Sequence, residues 1–249
     1  MTQPTGPLQE KVAIVTGAGR GIGKAIALAY AQAGATVVCA ARTASEIEQT
    51  VREIEQAGGR GLALPTDVTD LAAAERLCAV TAQTFGGFDL VVINAGVNRA
   101  REVVEASDPA DWQATLAVNL FGAYNCARAA IPHLKRRGEG KIITVGSGMG
   151  RHGRAGSSAY SCSKAALWML TRVLAQELWP FNISVNELIP GPVDTAMTVD
   201  PAARQGPAFA SESEWIKRPE DVAPLALFLA TQPTIGPTAQ SFSLMRRDG

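Results

Sequence analysis

The chain has 249 residues, of which 47% are hydrophobic and 18% charged, and this composition describes a globular protein with a large core. Its 23 basic and 23 acidic residues leave a formal net charge of zero, which excludes a general electrostatic affinity for nucleic acid or an anionic membrane. No apolar run approaches the roughly 20 residues of a membrane span, and the start MTQPTGPLQEK lacks the apolar core of a signal peptide. We therefore expect a cytoplasmic protein.

The cysteines and histidines are too few and too scattered to predict a metal site. No two cysteines form a CxxC pair, so we interpret them as buried free thiols of a reducing compartment. Two histidines make a histidine-based metal centre improbable. The residues concerned are Cys39, Cys78, Cys126, Cys162, His133 and His152.

Short apolar runs alternate along the chain with longer segments of helical period. Strands are predicted at 12–15, 36–40, 62–64, 90–94, 141–145, 183–188 and 241–245, and helices at 22–33, 45–57, 71–85, 109–137, 159–179 and 219–230. This alternation, with strands that are apolar throughout, predicts an α/β fold whose parallel sheet is covered by helices on both faces.

No linker interrupts this pattern, so we predict one domain over residues 1–249, beginning with an N-terminal tail at 1–10. The Pro/Gly-rich stretch 190–218 is the longest without clear periodicity. Long irregular segments inside a compact domain are usually functional, and we predict a substrate lid at about 192–216.

A glycine-rich turn, TGAGRGIG at 16–23, joins the first strand to the first helix. Its Gly17, Gly21 and Gly23 give G-x-x-x-G-x-G, which is neither the G-x-G-x-x-G fingerprint nor a P-loop. Glycines here let a phosphate approach the free N–H groups of the helix N-terminus. A tight turn without a ligand is the alternative, but a position after the first strand of a parallel sheet favours a dinucleotide site.

Six motifs occur in one order along the chain: TGxxxGxG at 16–23, NAG at 94–96, Asn119, Ser147, YxxxK at 160–164 and PG at 190–191. In this respect the chain resembles the short-chain dehydrogenase/reductase family from about residue 11 to 245. Its closest likeness is to 3-oxoacyl-[acyl-carrier-protein] reductases. The resemblance implies a Rossmann-type doubly wound fold with a seven-stranded parallel sheet. It also implies hydride transfer between a nicotinamide cofactor and a carbonyl or alcohol.

The same resemblance assigns cofactor-binding residues one by one. Ile93 stands where the family usually has a second Asn, which weakens one expected hydrogen-bonding role. Val193 and Thr195 match the nicotinamide carboxamide contacts, and Asp67 matches an adenine contact. The full set is Gly17, Gly19, Arg20, Gly21, Ile22, Gly23, Arg42, Thr43, Asp67, Val68, Asn94, Ala95, Gly96, Tyr160, Lys164, Pro190, Gly191, Val193 and Thr195.

The end of the second strand predicts which cofactor is used. An acidic residue there would bind the ribose 2′-OH of NAD and repel the 2′-phosphate of NADP, but this chain has Ala41. Arg42 follows it and Arg20 lies in the glycine turn, and arginine suits a phosphate dianion. A solvated loop is the alternative role for Arg42. We predict that NADP(H) is preferred and that NAD(H) is possible.

The resemblance makes Asn119, Ser147, Tyr160 and Lys164 the catalytic residues. Tyr160 would be the general acid/base, with its pKa lowered by the Lys164 ammonium, and Ser147 would bind the substrate oxygen. Asn119 would hold a water that connects Lys164 to solvent. Each has an ordinary alternative: a half-buried helix tyrosine, a turn serine, a solvated lysine, and a cap or kink asparagine.

Three functions remain open from the sequence. The first is an NADPH-dependent reductase of a ketone or 3-oxoacyl group, the second an NAD(P)-dependent alcohol or sugar dehydrogenase, and the third a retired enzyme acting as a nucleotide-binding scaffold. An acyl-carrier protein is acidic, so its reductase is expected to present basic residues near the site entrance, and Lys135, Arg136 and Arg137 could serve. These three also close a long helix, where cations are favoured for structural reasons alone, and LWPFN at 178–182 departs from those reductases. The resemblance also implies a homotetramer or homodimer.

Overall fold

The computed structural model describes residues 6–198 and 215–245. Within them one parallel sheet has the strand order β3-β2-β1-β4-β5-β6-β7. The strands are β1 Val12–Thr16, β2 Thr36–Ala41, β3 Arg60–Pro65, β4 Leu90–Ile93, β5 Gly140–Val145, β6 Ile183–Ile189 and β7 Ser241–Ser243. The α-helices are α1 Gly21–Gln32, α2 Ala44–Gln56, α3 Leu71–Phe85, α4 Pro109–Leu116, α5 Gly122–Arg137, α6 Ser158–Leu178 and α7 Ala223–Thr231.

Helices cover both faces of this sheet, as the sequence predicts. On one face α1, α2 and α7 pack through residues such as Ile26, Ile47 and Leu229. On the other face α3, α5 and α6 pack through residues such as Leu77 and Leu134. Strands buried from both sides must be apolar throughout, which is why β1 and β4 have no exposed residue.

The order of the strands reverses between β1 and β4, which lie side by side although five elements separate them in sequence. In an open α/β sheet the carboxyl ends of the strands at such a reversal leave a crevice in which ligands bind. The turns after β1 and β4 carry Gly17 and Asn94 respectively. The fold therefore places two of the sequence motifs at one crevice.

The helix predicted at 109–137 is continuous but not uniformly α-helical. Between α4 and α5 lies a π-helical turn, Ala117–Phe121, which contains Asn119. Such turns are rare, and they occur frequently at functional sites. The extra residue in this turn cannot be read from hydrophobic periodicity alone.

The segment predicted as an N-terminal tail is partly packed into the domain. Leu8 is buried, and its backbone N–H donates to the carbonyl oxygen of Ala33 over 2.9 Å. Residues 1–5 lie outside the described part of the chain. Most of the predicted lid, residues 199–214, also lies outside it.

Candidate active site

The predicted cofactor and catalytic residues all lie at or beyond the carboxyl ends of the strands, or on helices beside them. The turn after β1 carries six of them, and others follow β2, β3, β4, β5 and β6. Because parallel strands present their carboxyl ends at one edge, the fold gathers these residues there. The set after the strands is Gly17, Gly19, Arg20, Gly21, Ile22, Gly23, Arg42, Thr43, Asp67, Val68, Asn94, Ala95, Gly96, Ser147, Pro190, Gly191, Val193 and Thr195.

The glycine turn is packed so closely that side chains would not fit. Gly17 has φ +68°, and a Cβ there would lie 2.7 Å from Nδ2 of Asn94. A Cβ on Gly23 would overlap the carbonyl oxygen of Gly17. No side chain caps the N-terminus of α1, so its first N–H groups face the crevice without a side-chain acceptor. This is the arrangement that binds a phosphate.

The turns after β1 and β4 are joined by a small hydrogen-bond network. Asn94 Nδ2 donates to the carbonyl oxygen of Thr16 over 2.9 Å. The hydroxyl of Thr16 accepts from the backbone N–H groups of Asn94 and Ala95, at 3.0 and 3.1 Å. Thr16 was not among the predicted site residues, although it is the first letter of the TGxxxGxG motif. Thr16 therefore joins the two turns at the base of the crevice by hydrogen bonds.

Lys164 is buried beneath the crevice on α6. Its side chain is 4% exposed, and Nζ donates to the carbonyl oxygen of Val145 over 2.8 Å. Nζ also lies 5.7 Å from the ring centroid of Tyr160, one helical turn earlier. Desolvation lowers the pKa of Lys164 to about 8, and the negative charge of Glu187 opposes that shift. The ordinary alternative, a solvated helix lysine, is therefore wrong.

Tyr160 is half-buried above Lys164 and faces Ser147. Desolvation raises the pKa of the Tyr160 phenol, and a hydrogen bond with the Ser147 side chain opposes the shift. The pKa of the phenol is therefore raised and not lowered as expected, because burial disfavours the charged phenolate. Ser147 also accepts from the N–H of Met149 over 3.2 Å, which fixes the turn that carries it.

Asn119 braces the crevice through its side chain. Its amide accepts from the N–H of Val97 over 2.8 Å and donates to the carbonyl oxygen of Val97 over 2.9 Å. It also donates to the hydroxyl of Ser163 over 3.0 Å, and Ser163 donates in turn to the carbonyl oxygen of Tyr160. Sequence reasoning missed Ser163, which ties the π-helical turn to α6 between Tyr160 and Lys164.

The end of the crevice after β2, where the adenosine ribose is predicted to lie, contains an acidic residue that was not predicted from the sequence. Glu46, in the first turn of α2, lies 3.4 Å from the guanidinium of Arg20. Arg42 is exposed, and its charge acts on Asp67. Desolvation would raise the pKa of Asp67, but hydrogen bonds from Thr69 and the charge of Arg42 together lower it. The structure thus places Arg20, Arg42 and Asp67 at this end, with Glu46 against the glycine turn.

The turn after β3 is held from α5 by a residue that sequence reasoning also missed. Asn125 is buried, and its amide donates to the carbonyl oxygens of Val68 and Thr69, at 3.0 and 3.2 Å. A Cβ on Gly122 would lie 2.6 Å from Val68 Cγ2. The predicted cofactor residue Val68 is therefore a buried packing residue whose backbone is fixed.

The far wall of the crevice is built by the segments after β6 and β7. Thr195 lies close enough that a Cβ on Gly21 would be 3.3 Å from its methyl carbon. Gly191 has φ +69°, and Met245 packs against it and against Gly148. The guanidinium of Arg101, after β4, donates to the carbonyl oxygen of Met197 at the start of the predicted lid.

The basic residues Lys135, Arg136 and Arg137 do not lie near this site. They end α5, and β5 begins three residues later, so they stand at the amino edge of the sheet, opposite the crevice. Arg137 pairs there with Asp89 at 3.2 Å, and Lys135 lies 3.7 Å from the ring centroid of Phe181. The prediction that these residues could receive a carrier protein beside the site entrance is wrong.

Two absences apply to residues 6–198 and 215–245. No helix there is both long and apolar enough to span a membrane. No group of three or more His, Cys, Asp or Glu side chains is arranged to hold a metal ion.

Known proteins are similar to this chain in sequence and in fold over most of its length. Residues 11–205 match the family model described as short chain dehydrogenase. Short-chain reductase protein NovJ of Streptomyces niveus is 38% identical, covering 89% of this chain and 87% of its own. The 3-oxoacyl-[acyl-carrier-protein] reductase FabG of Thermotoga maritima is 34% identical, with coverage of 94% and 95%.

The structure of a 3-ketoacyl-(acyl-carrier-protein) reductase from Brucella melitensis complexed with NADH superposes with a TM-score of 0.88. It is 28% identical, and the superposition covers 96% of this chain and 98% of that one. The ordered motifs, the strand order and these similarities agree: the chain belongs to the short-chain dehydrogenase/reductase family.

Proposed function

We propose that this oxidoreductase is an NADPH-dependent carbonyl reductase in which Tyr160 protonates the substrate oxygen. The observation that carries the proposal is the meeting of Tyr160 and Ser147 at the crevice, directly above the buried Lys164. A phenol and a hydroxyl converging on one open point can bind and protonate a single carbonyl oxygen. A buried lysine beside them is costly, and perturbed groups of this kind cluster at functional sites.

The crevice fits a dinucleotide cofactor. Gly17 and Gly23 leave backbone where a side chain would block a phosphate, and the uncapped N-terminus of α1 faces the same place. Two segments would hold the nicotinamide half: the one after β4, which begins at Asn94, and the one after β6, which contains Thr195. The cofactor supplies the hydride when bound.

The side chains of this chain supply the proton and the geometry. Ser147 donates a hydrogen bond to the substrate oxygen and stabilises the negative charge that develops there. Tyr160 transfers its phenolic proton to that oxygen, and the ammonium of Lys164 stabilises the phenolate that results. Asn119 connects α6 to the segment after β4, through its hydrogen bonds with Ser163 and Val97.

The protonation state of Tyr160 is the one that carbonyl reduction needs. Desolvation raises the pKa of its phenol, so the side chain holds its proton at neutral pH and is ready to act as an acid. The reverse reaction would need the phenolate as a base, which burial disfavours. An NAD(P)-dependent alcohol or sugar dehydrogenase is therefore the second candidate. A scaffold without catalytic activity would have no need of the costly buried Lys164.

The preference for NADPH rests on the ribose end. Ala41 stands at the end of β2, where an acidic residue would select NAD, and Arg42 and Arg20 can contact a 2′-phosphate. Arg20 must leave Glu46 to make that contact, but exposed ion pairs of this kind contribute only about 0–1 kcal/mol. The NADH bound to the Brucella melitensis reductase indicates that NADH use is a realistic alternative.

Replacing Arg42 by Ala tests this preference. We expect the Kd for NADPH to rise by about 10- to 100-fold, since charge-assisted hydrogen bonds contribute about 1.5–3 kcal/mol, while the Kd for NADH changes little. Fluorescence titration of both cofactors measures the difference. Arg52→Ala, which removes an exposed arginine on α2 that donates to Gln49 of the same helix, is the matched control. Equal weakening of both cofactors by Arg42→Ala would contradict the assignment.

The substrate is proposed to be a ketone or a 3-oxoacyl group. If an acidic carrier protein delivers it, three candidate contacts are the exposed side chains that follow β4 and β5, Arg99, Arg101 and Arg154. Assembly as a homotetramer or homodimer and a cytoplasmic location remain predictions.

The direct test follows NADPH absorbance with a panel of ketones and 3-oxoacyl thioesters. We expect turnover with at least one class. Tight NADPH binding with no turnover of any carbonyl would favour the scaffold. Faster NAD(P)⁺ reduction with alcohols or sugars would favour the dehydrogenase.

A further inference from the structure

A carboxylate is buried inside strand β6, beneath the turn that carries Ser147. Glu187 is 1% exposed, and its neighbours along the strand are mostly apolar. Burying a carboxylate is costly unless charged and polar partners compensate. Its Oε2 accepts from Nη2 of Arg151 over 2.7 Å and from the hydroxyl of Ser241 over 2.6 Å.

Arg151 ends the turn that follows β5, which we call the Ser147 turn and define as residues 146–151. Its backbone N–H donates to the carbonyl oxygen of Gly148 over 2.9 Å. Its guanidinium reaches Glu187 on β6 and lies 4.2 Å from the ring centroid of Trp168 on α6. One side chain thus ties the end of the turn to a strand and to the helix that carries Tyr160.

The same carboxylate touches the start of the turn. A Cβ on Gly146 would overlap Oε1 of Glu187, so the carboxylate packs directly on the backbone that precedes Ser147. Both ends of the turn therefore rest on Glu187, one through packing and the other through the ion pair. Only glycine at 146 allows this contact.

We propose that Glu187 and Arg151 form a clamp that positions the Ser147 hydroxyl against Tyr160 for the proposed reduction. Glu187 is buried and is bonded to Arg151 and Ser241, so its proposed role is that of a positioning residue. A buried ion pair contributes little net stability compared with apolar residues of equal volume. The proposed contribution of this pair is therefore to fix the geometry of the Ser147 turn. The charge of Glu187 also supports the protonated form of Lys164.

The clamp is tested by Arg151→Met, which keeps the apolar stem, and by Glu187→Gln, which keeps the shape. For both we expect kcat to fall by about 10- to 100-fold, because small displacements of a reacting group are that costly. KM and the cofactor Kd should change by less than about threefold, since Glu187 is buried and the guanidinium of Arg151 is paired with it. Assays are run well below the unfolding temperature of each variant.

Asp89→Asn is the matched control, because Asp89 is another buried, ion-paired carboxylate, placed at the opposite edge of the sheet. It should lower stability and leave kcat unchanged. In a Ser147→Ala background, adding Arg151→Met should lower kcat by less than about threefold, because the hydroxyl that Arg151 positions is already absent. An undiminished effect in that background would overturn the clamp.

Hydrogen exchange tests the clamp without any activity. In Arg151→Met the amides of Gly150 and Arg151 should exchange faster, while those of Ile142 and Ile143 in β5 stay protected. Unchanged exchange in the turn would overturn the proposal. If the wild-type protein reduced no carbonyl, the proposed function would fail, and this measurement would still decide whether the clamp exists.

Discussion

Replacing Tyr160 by Phe is expected to lower kcat by about 10²- to 10⁴-fold, the usual contribution of a general acid. The change removes one oxygen and leaves the packing of the ring intact, so the Kd for the cofactor should change by less than about threefold. Steady-state kinetics and fluorescence titration measure the two quantities. The result follows from the position of the phenol beside Ser147 and above Lys164.

Tyr124→Phe is the matched control for this experiment. Tyr124 is an exposed tyrosine on α5, so removing its hydroxyl should leave kcat unchanged. Activity retained in Tyr160→Phe at the wild-type level would remove Tyr160 from the chemistry and, with it, the proposed mechanism.

Replacing Lys164 by Met is expected to abolish turnover and yet stabilise the protein at pH 7. Desolvation holds the folded-state pKa of Lys164 at about 8, below its ordinary value of 10.5. At pH 7 the side chain is charged, so the folded protein bears the full free energy of desolvating the ammonium. Methionine has no charge to desolvate. We expect a gain of about 1–3 kcal/mol in the free energy of unfolding.

The sign of the pH dependence separates this cause from better packing. Between pH 8 and 10.5 the unfolded wild-type chain binds a proton that the folded chain has released, so wild-type stability rises with pH. The advantage of Lys164→Met should therefore shrink across this window, as thermal unfolding at pH 7 and pH 10 would show. Leu167→Met, a buried substitution on the same helix that removes no titrating group, should show no such trend. A pH-independent gain would contradict the explanation.

The same pKa predicts the pH dependence of the proposed reduction. If the ammonium of Lys164 stabilises the phenolate of Tyr160 as proposed, the rate of reduction should decline as pH rises through about 8, and kcat measured from about pH 6 to 10 checks this.

Much of the fold could be read from the sequence because it depends on local patterns. The seven strands and the helix positions follow from apolar runs and helical period, with boundaries within a few residues of those observed. The glycine turn and the Tyr160–Lys164 pair could also be placed, since each is a short segment with its own geometry. The edge at which they meet follows from the parallel sheet.

The position of Lys135 to Arg137 shows where local reasoning failed although a signal existed. A crossover helix runs antiparallel to the strands, so its end lies at the start of the next strand. The basic cluster had to fall opposite the site once α5 was recognised as leading into β5.

The sequence by itself determined the order of elements and the identity of the motif residues, because periodicity and turn chemistry act over a few residues. Only the tertiary structure decided that Glu46 meets Arg20, that Ser163 joins Asn119 to α6, and that Glu187 holds Arg151. These pairs are 26, 44 and 36 residues apart. It also decided the direction of the Tyr160 pKa shift, because desolvation depends on every element packed around a group rather than on its neighbours in sequence.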